Sequence, residues 1–149
     1  MSDTTHRGDV AELEVALALI RAGKRVLKPL SSDCRYDLVV DEGDGHYVRI
    51  QCKSGVFRRG RITFRTYSMN ASNPGRTYRG EVDAFGIYCP ETRDAYLVPM
   101  VAIETCGTMA SLRVAPSRNG QRSRVRLATD FRIDREPDAR LGSTHGGTA

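Results

Sequence analysis

Asp37, Gln51 and Lys53 are the residues of this sequence whose types and spacing suit chemistry on a phosphodiester. They lie on two β-rich runs, residues 36–40 and 47–53, separated by the turn-forming stretch Asp41-Glu42-Gly43-Asp44-Gly45-His46. A hairpin whose paired numbers sum to 88 sets Asp41 against Tyr47 across a five-residue loop and Asp37 against Gln51, with Lys53 one pleat further on. Strand side chains alternate. Arg49, Gln51 and Lys53 then share a polar face with Asp37, while Val48, Ile50 and Cys52 take the core face. Oxygen donors of this kind select Mg²⁺, with Mn²⁺ as the alternative. Such a cation lowers the pKa of a bound water and stabilises charge on the phosphate, while a nearby amine orients or deprotonates the water. Taken alone, the same spacing also fits an ion pair on a half-exposed sheet.

The elements that must position these residues are legible in the periodicity. Residues 9–22 read as a helix with Val10, Leu13, Leu17 and Ile20 on one face and Gly23 as its stop. On that helix Glu12 shares its side with Ala16 and Leu19, a half-buried place for an acid; the competing reading is a capping box, Asp9-x-x-Glu12. Residues 24–30 and 61–67 read as short strands. Residues 84–89 and 94–99 form another hairpin around Pro90-Glu91-Thr92, and a short helix follows over 101–104. Residues 68–80 read as a loop. Residues 112–115 and 122–128 flank the turn signal Asn119-Gly120. Residues 1–134 are expected to form a single domain, with 135–149 a disordered tail.

Composition narrows the function. The chain has 149 residues, 40% of them hydrophobic, with no Trp and a net charge of +5, which fits one domain with its own core. No apolar run approaches a membrane span, and the first residues carry no signal-peptide pattern. Cys34, Cys52, Cys89 and Cys106 form no CxxC pair and fit a reduced, cytoplasmic protein. The three histidines are too scattered for a metal site. Between Gly55 and Gly80 stand Arg58, Arg59, Arg61, Arg65, Arg76 and Arg79 without an acid; between Ser111 and Arg126 stand Arg113, Arg118, Arg122, Arg124 and Arg126, again without one. The rest of the chain holds 12 basic residues against 18 acids. Two all-basic stretches on an acidic body point to a polyanion, nucleic acid above all. Arg122, Arg124 and Arg126 would face one way on a strand, at a spacing that can follow phosphates. Arg58-Arg59-Gly60-Arg61 reads as a hairpin tip able to enter a groove. Only Lys24, Lys28 and Lys53 are lysines among the 23 basic residues. Since Arg cannot give up its proton, each Lys hints at lysine chemistry.

Gly8-Asp9-Val10-Ala11-Glu12 on the helix, Tyr36-Asp37-Leu38-Val39-Val40, and Ile50-Gln51-Cys52-Lys53 resemble, in order and spacing, the PD-(D/E)XK nuclease core. The likeness is strongest to archaeal Holliday junction resolvases and to group I intron-associated homing endonucleases, and is specific over about residues 7–54. The resemblance implies an α/β fold with an α-β-β-β-α-β core and a central mixed sheet, divalent-metal cleavage of DNA, and a homodimer or higher homo-oligomer. It implies that Glu12, Asp37 and Gln51 hold the metal and that Lys53 is the catalytic lysine. No proline precedes Asp37. Gln51 stands where Glu or Asp is usual and supplies a neutral oxygen, which weakens metal binding; the intron-associated group uses Gln here, and a decayed site would also show it. The expected function is a Mg²⁺-dependent, sequence-specific DNA endonuclease of the homing type. A resolvase acting on branched DNA and a catalytically inactive DNA-binding module are the alternatives. The expected DNA contacts are Arg58, Arg59, Arg61, Arg76, Arg79, Arg118, Arg122, Arg124 and Arg126. The apolar stretch 84–101 is the expected contact between copies.

Overall fold

The computed structural model describes residues 2–70, 73–115 and 125–134. Helix α1 spans Asp3–Arg21, starting well before the Asp9 that apolar periodicity picks out. Residues 4–8 carry no apolar pattern, and what starts the helix is a cap: Ser2 Oγ accepts from the Thr5 N–H. Glu12 therefore lies in the helix interior, and the capping-box reading of Asp9 and Glu12 is excluded. The helix ends as expected at Gly23, whose φ of 81° lets the Lys24 N–H turn back to Leu19 O.

α1 lies on a five-stranded sheet of β1 (Arg25–Leu27), β2 (Leu38–Gly43), β3 (His46–Ser54), β8 (Ala84–Cys89) and β9 (Asp94–Pro99), in the order β1-β2-β3-β8-β9. β3 and β8 run parallel and every other neighbour is antiparallel, so the central sheet is mixed. In the first hairpin Leu38 pairs with Ile50, Val39 with Arg49, Val40 with Val48 and Asp41 with Tyr47. That is the register set by the apolar alternation. The loop is shorter than expected, because the strands run on to Gly43 and His46 past an irregularity after Asp41, leaving Asp44-Gly45 as the turn.

The parallel β3–β8 pair needs a crossover. Where the resemblance implies a helix, the crossover is built of strands: β4 (Val56–Arg58), β5 (Arg61–Arg65), β6 (Tyr67–Asn70) and β7 (Asn73–Thr77). β6 and β7 pair with each other, so the expected loop over 68–80 contains all of this hairpin but Tyr67. β5 pairs with β4 and with β10 (Met109–Arg113). A short 3₁₀ turn, Met100–Ile103, stands where the helix over 101–104 was expected. Leu127 meets Arg113 in an isolated parallel bridge instead of forming the second arm of a hairpin. The turn signal at 119–120 and the expected tail at 135–149 lie outside the described residues.

Two cores result, one on each face of the sheet. Val15, Leu19, Leu38, Val40, Ile50 and Cys52 fill the space under α1. Ile62, Phe64, Phe85, Ile87, Val98 and Leu112 fill the space between β8–β9 and the small sheet. Gly86 lets α1 approach β8: a Cβ there would stand 2.6 Å from Val15 Cγ1 and 3.1 Å from Ile50 Cγ2. The stretch 84–101, expected at a surface between copies, is largely spent on these cores, with Ala84, Phe85, Ile87, Cys89, Tyr96 and Val98 buried. All four cysteines are free. Among the described residues no helix is long and apolar enough to cross a membrane.

Candidate functional site

Asp37 immediately precedes β2 and is fixed to β3 twice. Its N–H donates to Ile50 O at 2.9 Å, and its carboxylate Oδ2 accepts from the Cys52 N–H at 2.8 Å. The side chain thus replaces the backbone carbonyl that would continue the ladder, which locks its orientation. Burial pushes the Asp37 carboxyl above its ordinary value; the Cys52 N–H and the charges of Lys53 and Lys28 pull it back. The same burial, with the negative charge of Asp37 beside it, drives the Cys52 thiol far up and makes it inert, consistent with a core role.

Gln51 and Lys53 leave β3 on the side away from Ile50 and Cys52, both half-buried. Gln51 Nε2 donates to Cys52 O at 3.4 Å, leaving its carbonyl oxygen as an acceptor. Lys53 Nζ donates to the Tyr78 hydroxyl at 3.1 Å. The Tyr78 ring is held in turn by the Arg35 guanidinium, stacked 4.0 Å from its centroid, and by an edge-on contact with Phe85 at 5.6 Å. Arg35 is anchored by Glu81 and by Thr77 O. Sequence reasoning missed this support of Lys53, since Tyr78 lies in the stretch read as a loop.

Glu12 comes to this region from α1 and pairs with Lys28. Lys28, just past β1, also bears electrostatically on Asp37 and Cys52. Lys28 is the other residue that sequence reasoning missed, though the scarcity of lysine had already set it apart. The available donors are two carboxylates, Glu12 and Asp37, and the carboxamide of Gln51. Among the described residues no three His, Cys, Asp or Glu side chains gather as a metal cluster. An all-oxygen set around a carboxylate already clasped by a backbone N–H fits a hard divalent cation.

The arginines divide into two groups. Arg58 and Arg61 pair across the base of the β4–β5 turn, which Arg59 and Gly60 make with φ of 51° and 74°. All three arginines are exposed, and none contacts an acid among the described residues. Arg76 instead pairs with Glu81, and Arg79 donates to Glu104 O at 2.9 Å. Arg126 is half-buried with its guanidinium against Cys106 Sγ and its Nε without a partner. It is turned inward, not out along a strand. Arg118, Arg122 and Arg124 lie outside the described residues. Arg49, on the same face as Gln51, is held by Asp83 through two contacts of 3.1 Å, and its N–H donates to Asp83 Oδ2 at 2.8 Å.

A family model of PD-(D/E)XK endonucleases matches residues 2–134. A solved structure of a bacterial homing endonuclease, I-Ssp6803I, matches over 89% of this chain and 88% of that one, at 24% identity and a TM-score of 0.65. No curated protein matches.

Proposed function

The chain belongs to the PD-(D/E)XK endonuclease family, and from that premise we propose that it is a Mg²⁺-dependent, sequence-specific DNA endonuclease of the homing type that works as a homo-oligomer. The observation that carries this reading is the Asp37 carboxylate, clasped by the Cys52 N–H and within the electrostatic reach of Lys53, on the sheet face shared with Gln51. Glu12, Asp37 and Gln51 would hold the ion, which when bound supplies an acidified water and charge stabilisation at the phosphate. Asp37 needs no reorganisation to serve, because its orientation is set by the strand. Lys53, steadied by Tyr78, offers an ammonium to a non-bridging phosphate oxygen or to the attacking water. Lys28 pairs with the Glu12 carboxylate and would compete with the ion for it. The arginine turn of β4–β5 lies beyond the end of β3 in the chain and supplies cations for the duplex backbone and groove.

Incubation with supercoiled plasmid, random duplex and a four-way junction, with and without Mg²⁺, tests the reading. With the random duplex supplied as a large randomised pool, cleavage is expected only when Mg²⁺ is present and only in the subset of sequences that carry the target, read by sequencing the cut ends. Cutting restricted to the junction would reassign the protein as a resolvase, and binding without cutting would make it an inactive DNA-binding module. Gln51→Glu adds a charged oxygen at the same place and should tighten Mn²⁺ binding in calorimetric titration. Unchanged affinity would remove Gln51 from the ligand set.

A further inference from the structure

α1 carries two apolar stripes where a surface helix needs one. Ala11, Val15 and Leu19 close on the sheet. Leu13, Leu17 and Ile20 stand on the other side, 69%, 41% and 57% exposed. At 3.6 residues per turn the centres of the two stripes are roughly 170° apart. Single exposed aliphatic residues are ordinary, but three in consecutive turns of one helix make a contiguous patch.

The stripe is its own complement. A two-fold axis through Leu17, normal to the helix, sets Leu17 against the same residue of a second copy and Leu13 beside that copy's Ile20, which is the pattern of an isologous contact. The charges select the antiparallel sense. Asp3, Asp9 and Glu14 precede the centre of the stripe, while Arg21, Lys24 and Arg25 follow it. The N-terminal half also holds Arg7, whose charge bears on Glu91 of the same chain. Glu14 and Arg21 flank the same edge of the stripe, so antiparallel packing brings each beside the other's counterpart; parallel two-fold packing would put the two charged edges on opposite sides of the seam, where they could not pair.

We infer that the Leu13–Leu17–Ile20 face of α1 is the contact between two copies of this chain, packed antiparallel about Leu17. The inference gives a surface to the homo-oligomer of the proposed function, and its evidence is the helix surface and not the catalytic residues. It supplies the second site that a double-strand break needs, since the chain contains one copy of Glu12, Asp37, Gln51 and Lys53 in this order. Sedimentation across a concentration series, without DNA or metal, tests it. The wild type should exceed its 16.5 kDa chain mass by a factor of two or more. Leu17→Glu, a change at a part-exposed position, should fall to a smaller species with its far-ultraviolet circular dichroism unchanged. Leu17→Cys, on the axis, should be joined by a short bismaleimide into a covalent dimer, while the wild type with its four native cysteines is not. Wild-type protein that stays at one chain mass, a Leu17→Glu variant that associates like the wild type, or a Leu17→Cys variant that does not cross-link would each overturn the proposal. So would monomeric wild-type protein that sediments with anionic phospholipid vesicles, which would assign the stripe to a lipid surface. Cleavage is not the readout, so an inactive protein leaves this test intact.

Discussion

The two faces of β3 carry opposite duties on alternate residues of one strand. Ile50 and Cys52 point under α1 and are buried; Arg49, Gln51 and Lys53 point the other way and stay half-buried. The difference lies in the cover. On the far face the small sheet packs over β8 and β9, burying Phe85 and Ile87, the residues that pair with Gln51 and Lys53. β3 is left at the margin of that core, where burial raises the pKa of the Asp37 carboxyl. The proposed site is thus a polar seam at the edge of a core.

That comparison predicts a clean separation of effects. Asp37→Asn, which keeps an oxygen for the Cys52 N–H, and Lys53→Ala should each lower Mg²⁺-dependent cleavage at least about a hundredfold, with the unfolding transition little changed. Cleavage at the wild-type rate by either variant would discard the site. On the opposite face, Ile50→Ala should cost about 2–5 kcal/mol of stability through lost burial and a cavity. Gly86→Ala should cost about 1–3 kcal/mol by pushing Val15, and with it α1, off β8. Denaturant titration reads both. A stable Gly86→Ala variant would mean that α1 is less closely seated than its contacts with β8 require.

The polar seam was legible in the sequence because it depends on local rules. The alternation of Val48, Ile50 and Cys52 fixes which face is apolar, and the register follows, since a one-residue slip would expose all three. What the sequence hid was whatever depends on contacts distant along the chain. Tyr78 supports Lys53 from the far end of the crossover, and nothing in residues 68–80 signals that role. The crossover itself reads as loop because Gly75 and Gly80, both at positive φ, and Pro74 outweigh the weak strand pattern of β6 and β7. Arg126 reads as a phosphate contact by alternation, but tertiary packing turns it toward Cys106. A run of like charges cannot tell an arginine held by the fold from one offered to a partner.

The arginines extend the comparison from β3 to the whole surface. Arg58, Arg59 and Arg61 on the β4–β5 turn should act on DNA, and Arg76 should act mainly on the protein through Glu81. Replacing the three turn residues by Ala should reduce the salt slope of DNA binding by about three, while Arg76→Ala should change it by less than one. Equal slopes for the triple variant and the wild type would take the turn out of the footprint.

The smallest effect falls on Arg49, which shares a face with Lys53 but is occupied by Asp83. Hydrogen bonding to the Arg49 guanidinium holds the Asp83 carboxyl below its ordinary value, and the Arg49 N–H adds to this. A carboxyl more acidic in the folded than in the unfolded chain stabilises the fold above the unfolded value, near about pH 4, and loses that contribution as pH falls through the folded value. Both side chains are over a third exposed, so solvent screening keeps the pair to at most about 1 kcal/mol. Asp83→Asn keeps an oxygen for the Arg49 N–H and removes only the charge. Its stability deficit should therefore be small at pH 7 and should narrow as pH is lowered below about 4, in parallel denaturant titrations of variant and wild type. DNA cleavage per folded molecule should be unaltered at pH 7. A deficit that persists undiminished into acid would show that Asp83 acts by packing and not by charge. A loss of cleavage without a loss of stability would mean that Arg49 belongs to the chemical face after all, working beside Lys53.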